Sequence, residues 1–119
     1  MIVLDHTAVV ALRRGHRLLS GLAVVEVDDP LRRAHVPALC LFAASMELPG
    51  AAAHTGAPPG LDILPLDFAG AAALERATVA GVDWRHAHAV YASAAGQVLT
   101  ATPEAYDGTG VWAVDIGKP

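Results

Sequence analysis

The chain has 119 residues, enough for one domain whose core needs no disulfide or metal staple. Its hydrophobic content of 54% is high, its charged content of 17% is low, and its formal net charge is −4. The acidic balance excludes a global attraction for nucleic acid, and the single Cys40 excludes an internal disulfide.

The first twelve residues, MIVLDHTAVVAL, organise the chain. The run Met1–Leu4 is too short to span a membrane and has no basic flank, so it reads as a buried strand rather than a signal peptide. It ends on Asp5, and Asp5 or Thr7 can cap the helix that follows to Arg13. Gly15 breaks that helix. His16–Val25 carries Leu18, Leu19, Leu22 and Val25 on a helical face, although Val24–Val27 is equally suited to a strand. Asp28-Asp29-Pro30 is a turn, and Ala34–Val36 is a short apolar edge. Pro37 at a first helical position leads into Ala38–Leu48, apolar nearly all round and therefore a buried helix containing a buried Cys40 thiol. Pro49–Gly60 reads as a loop, rich in proline and glycine. Leu61–Leu66 is a strand with Pro65 near its end, and Asp67 caps a helix over Phe68–Val79. Asp83 caps a helix over Trp84–Ala95, Gly96 ends it, and Gln97–Thr100 is a fourth strand. A single turn at Pro103–Tyr106, a last strand at Val111–Ile116 and a short tail complete the chain. Strands alternating with helices predict an α/β fold, a three-layer α/β/α sandwich around a mostly parallel sheet.

In such a sheet ligands sit beyond the carboxyl ends of the strands, so Asp5 is the first functional candidate. Asp83, Glu47 and Asp107 occupy places that can converge on the same rim. Converging carboxylates bind Mg²⁺ or Mn²⁺, hard ions that prefer oxygen ligands and activate water against a phosphodiester. Asp5 and Asp83 equally have an ordinary use as helix caps. His86 and His88 are two apart and point to different faces, which argues against a joint metal site. The remaining histidines have no i+4 partner and read as structural or exposed. Trp84 and Trp112 read as core aromatics, with an interface role as the alternative, and Arg13-Arg14-Arg17 and Arg32-Arg33 as solvated helix ends. No zinc spacing, nucleophile elbow or phosphate-cradling loop is present. The excess of apolar over charged residues predicts an exposed apolar patch and a homodimer, and without a targeting or membrane-spanning segment the expected location is the cytoplasm.

The order of these elements resembles a PIN domain, the fold of VapC-like toxin endoribonucleases. MIVLDHTAVVAL resembles that family's amino-terminal strand ending in Asp, and the stretch from Asp83 to Ile116 its capped Ala-rich helix, strand ending in Thr, acidic turn and closing strand. The resemblance implies a Mg²⁺- or Mn²⁺-dependent ribonuclease of the toxin–antitoxin kind, with RNA as substrate and an antitoxin-like partner. Asp5 matches the first metal-binding Asp and Asp83 the Asp opening the Ala-rich helix. Near the place of the family's Glu stand Ala43 and Ala44, with Glu47 about one turn further on, and Thr102 stands where the last Asp is usual. The implied site is therefore Asp5 and Asp83 on the metal, assisted by Glu47, with Thr100 or Thr102 orienting water. So incomplete an acidic set implies a degenerate member with weak or absent nuclease activity, or a non-catalytic binding and dimerisation module. A receiver-like signalling domain is the competing α/β reading, with Thr100 and Lys118 in suitable places but no acidic pair after strand one.

Overall fold

A computed structural model describes residues 1–25, 28–29, 33–94 and 96–117. The elements are β1 (Ile2–Leu4), α1 (His6–Arg13), α2 (Arg17–Val24), β2 (Ala34–Pro37), α3 (Ala38–Glu47), α4 (Ala51–Gly56), β3 (Leu61–Leu64), α5 (Phe68–Val79), α6 (Trp84–Ala92), β4 (Gln97–Thr100), a 3-10 turn (Pro103–Tyr106) and β5 (Trp112–Asp115). All five strands are parallel, in the order β3-β2-β1-β4-β5, and helices flank the sheet. This is the three-layer α/β/α architecture expected from the alternation of strands and helices. It is not the 2-1-3-4-5 order of receiver-like sheets.

The central strands are hydrophobic on both faces, as parallel strands covered on both sides must be. Side-chain alternation divides them between two cores. Leu4 and Leu99 pack with Ala8, Val9 and Leu12 of α1 and Leu19 of α2. Val3 and Val98 pack with Cys40 of α3, Ala89 of α6 and Tyr106. Three aspartates cap helices as local chemistry requires. Asp5 accepts from Ala8 N at 3.0 Å, Asp67 from Gly70 N at 2.7 Å, and Asp83 from Arg85 N at 2.9 Å.

Five local expectations change. The helix expected to be buried, α3, buries only one face, through Cys40, Ala43 and Ala44, and leaves Phe42 and Met46 exposed. Pro49–Gly60 is not all loop, because Ala51–Gly56 forms a short helix. Its three alanines are strong helix formers, Gly50 turns the chain into it at φ +93°, and Ala51 and Thr55 bury one face. The strand begun at Leu61 stops at Leu64, before Pro65 removes a ladder donor. Pro37 closes β2 and stands at the N-cap of α3 instead of inside it. Trp84 and Trp112 are 41% and 68% exposed and not in the core. Trp112 opens the edge strand β5, and Trp84 sits in the first turn of α6 against Phe42, with ring centroids 6.4 Å apart. The possible strand at Val24–Val27 ends, for the described residues, in an extended Val25; residues 26 and 27, like Pro30, Arg32, Ala95 and the last two residues, lie outside them.

Gly60 joins α4 to β3 where backbone meets backbone. Its N–H donates to Ala23 O at 2.8 Å, and a Cβ there would run into the carbonyl oxygens of Leu22, Ala23 and Val25. Backbone cannot rotate aside as a side chain can. Gly60→Ala is therefore expected to lose about 1–3 kcal/mol of stability, read as a lower urea midpoint at unchanged slope.

Candidate functional site at the carboxyl ends of β1 and β4

The chain adds β2 and β3 on one side of β1 and then crosses back to place β4 and β5 on the other. The order therefore reverses between β1 and β4, and that reversal opens the crevice in which doubly wound sheets bind ligands. Asp5 leaves the end of β1 and Thr100 ends β4. Both are fully buried.

The Asp5 carboxylate is surrounded by donors. Its Oδ1 accepts from Thr7 Oγ1 at 2.6 Å and from Ala8 N at 3.0 Å. Its Oδ2 accepts from Tyr106 Oη at 2.7 Å. Burial, and then the Asp5 charge, push the Tyr106 phenol far above its ordinary range, so it stays a donor at every physiological pH.

A chain of hydroxyls continues from this carboxylate, and its proton order can be deduced. The Thr7 hydroxyl gives its only proton to Asp5, so in the 3.2 Å contact with Thr100 Oγ1 it must accept. Thr100 has then spent its proton and accepts from Thr102 Oγ1 at 3.3 Å. Thr102 in turn accepts from His86 Nε2 at 3.3 Å. The relay thus runs His86, Thr102, Thr100, Thr7, Asp5, and it places the His86 proton on Nε2. The amides of Ala101 and Thr102 donate to Thr7 Oγ1 at 2.9 Å and Thr100 Oγ1 at 3.0 Å and hold the relay to β4.

Two imidazoles cover the carboxylate. His86 Nε2 lies 4.0 Å from Asp5 Oδ2, and the His6 and His86 rings meet edge to face at 4.7 Å. The two residues are 4% and 7% exposed. Burial lowers the pKa of both; the Asp5 charge opposes this in each case, while His6 depresses His86 further. Both are thereby held neutral at pH 7. Neither Nδ1 has a hydrogen-bond partner among the described residues. One nitrogen from each ring and one oxygen of Asp5 lie within 4.8 Å of one another, a buried cluster that could hold a metal ion.

Asp83 and Glu47 do not belong to that cluster. The Asp83 carboxylate is gripped by the guanidinium of Arg85, with Nε on Oδ1 and Nη2 on Oδ2, each at 3.0 Å, and this pairing draws its pKa down to about 2. Both side chains of the pair are nearly half exposed, so it adds little to stability. Glu47, the last residue of α3, lines a surface cleft of about 310 Å³ with Ala43, Met46, Trp84 and Arg85. Its charge and that of Arg85 both act on His6. Of the residues proposed from sequence, the fold therefore brings together Asp5, Thr100 and Thr102. It leaves Asp83 and Glu47 outside the buried cluster.

His6, His86 and Tyr106 were not proposed from sequence. His86 and His88 do part company as their spacing requires, since His88 Nδ1 accepts from Leu39 N at 3.3 Å. The partner of His86 comes instead from α1, and no spacing within one helix can show that. The available signal was the Asp-His pair at the end of the first strand.

Compared with family models, with curated proteins and with solved structures, the chain matches none. The functional reading therefore rests on the geometry.

Proposed function

We propose that this chain is a PIN-like module, of VapC-type ribonuclease ancestry, in which metal-dependent RNA cleavage is weak or absent and binding is the working activity. The order of elements and the acid at the end of β1 support the ancestry. One observation carries the loss of hydrolysis: Asp5 is closed in by Thr7, Ala8 and Tyr106, and its neighbours are two imidazoles instead of further acids. Mg²⁺ and Mn²⁺ favour about six hard oxygen ligands, with carboxylate charge to offset their own. Here Asp83 is taken up by Arg85, and Thr102 brings an oxygen without charge.

A binding role draws support from Phe42, Met46 and Trp84, which are 56%, 64% and 41% exposed beside one cleft. Apolar side chains gathered on one surface suit a protein interface, and a second copy of the chain is the simplest partner.

The test is RNA incubation with purified protein in millimolar Mg²⁺ or Mn²⁺, alongside calorimetric titration of Mn²⁺ into wild type and Asp5→Asn. No cleavage above the buffer control is expected, whether or not Mn²⁺ binding gives heat that depends on Asp5. Cleavage abolished by both Asp5→Asn and Asp83→Asn would overturn the reading.

A further inference from the structure

We propose that Asp5, His6 and His86 form a binding site for a single borderline divalent transition ion, Zn²⁺ above all, in place of a hard-ion site. Two imidazoles and one carboxylate are the donor set that such ions select, whereas Mg²⁺ selects oxygen alone. The three side chains come from the end of β1, the first turn of α1 and the first turn of α6, and all three are more than nine-tenths buried.

Three features support coordination over simple packing. The ligand atoms already lie within 4.8 Å of one another. Ligands of a tetrahedral zinc ion stand about 3.3 Å apart, so closure asks the ligand atoms to approach by about 1.5 Å or less. Both rings have a buried Nδ1 with no partner among the described residues, and on His86 the hydroxyl relay identifies that atom as a bare lone pair. A buried lone pair without a donor is unfavourable, and an electron-pair acceptor removes the penalty.

The surroundings suit the ion as well. Thr7, Ala8 and Tyr106 hold the carboxylate in one orientation, as partners behind a metal ligand do. Among the described residues Oδ2 accepts only the Tyr106 hydroxyl and keeps a second lone pair. The charges of Glu47 and Asp83 reach the two imidazoles and offset part of the ion's charge; Arg85 opposes it. Three protein ligands leave a fourth position for water or for a ligand brought by a partner.

The experiment uses chelator-treated full-length protein titrated with Co²⁺, whose visible absorption reports tetrahedral coordination, followed by displacement with Zn²⁺. One equivalent is expected to saturate the absorption and Zn²⁺ to bleach it. At a hundredfold excess of free Zn²⁺ over Kd, the Tm is expected to rise by about 8 °C or more. His6→Gln and His86→Gln should each weaken binding at least about tenfold, while His54→Gln, on a surface helix, should not. Because buried-site variants can misfold, the wild-type protein is also followed by long-range ¹H–¹⁵N correlation of its imidazoles. Zn²⁺ must shift ring nitrogens of His6 and His86. No Co²⁺ spectrum, or shifts confined to His16 and His54, would overturn the proposal. The readout is coordination and not RNA cleavage, so this proposal and the loss of hydrolysis can fail separately.

Discussion

Asp5→Ala is expected to remove about 3–5 kcal/mol of stability, the sum over the buried donors it leaves without an acceptor. The variant would leave the Tyr106 hydroxyl, the Thr7 hydroxyl and the Ala8 amide facing a void. Each buried donor without an acceptor is unfavourable by about 1–3 kcal/mol. Thr7 still bonds Thr100 and Ala101, so its share is the smallest. Against a total of about 5–15 kcal/mol for a domain of this kind, such a loss leaves the fold marginal. Asp5→Asn keeps the volume and one acceptor oxygen and should lose roughly half as much. Urea unfolding of both variants at pH 7.5 makes the comparison, and a loss below about 1 kcal/mol for Asp5→Ala would show that the network holds nothing together. For activity assays the consequence is direct: the alanine variant cannot separate an inactive site from a loosened fold, and the asparagine variant can.

Acidification from pH 7.5 to 5 is expected to destabilise the metal-free protein strongly. Burial lowers the pKa of His6, His86 and His88 in the folded state. The unfolded chain then binds protons that the folded chain refuses, so stability falls as pH falls. The contribution is fully present above the unfolded value of about 6.5 and is lost progressively below it, down through the depressed folded values. The ceiling for one such histidine at pH 5 is about 2 kcal/mol. Asp5 faces His6 and His86, and Asp67 faces His88; these carboxylates reduce the depression without reversing it. Protonating His86 would also put a hydrogen on an Nδ1 that has no acceptor among the described residues. Thermal midpoints in chelator-containing buffer across this range make the measurement. A flat profile would mean that the three imidazoles are free to protonate in place. Asp83, held low by Arg85 at an exposed position, takes part only at far more acidic pH and weakly.

The sequence by itself determined what depends on neighbours along the chain. The helix Phe68–Val79 was bounded to the residue, because Asp67 caps it locally. The strand ending in Asp5, the capped start of α6 and the strand Gln97–Thr100 were legible for the same reason. Alternating strands and helices were enough for a parallel three-layer fold. What failed locally failed through competing signals, as in α4, where prolines and glycines at the flanks outweighed the alanine run Ala51–Ala53.

Only the tertiary structure decided the site. Asp5, His86, Thr100 and Tyr106 are separated by up to 101 residues, and they meet because β4 lies beside β1. That adjacency follows from the crossover after β3, and no residue spacing encodes it. The same crossover put His86 where the acid pattern suggested another carboxylate, while Asp83 is held locally by Arg85, two residues on. Charge and spacing along a chain identify candidates. Which of them share a cavity depends on strand order, and here strand order paired one carboxylate with two imidazoles.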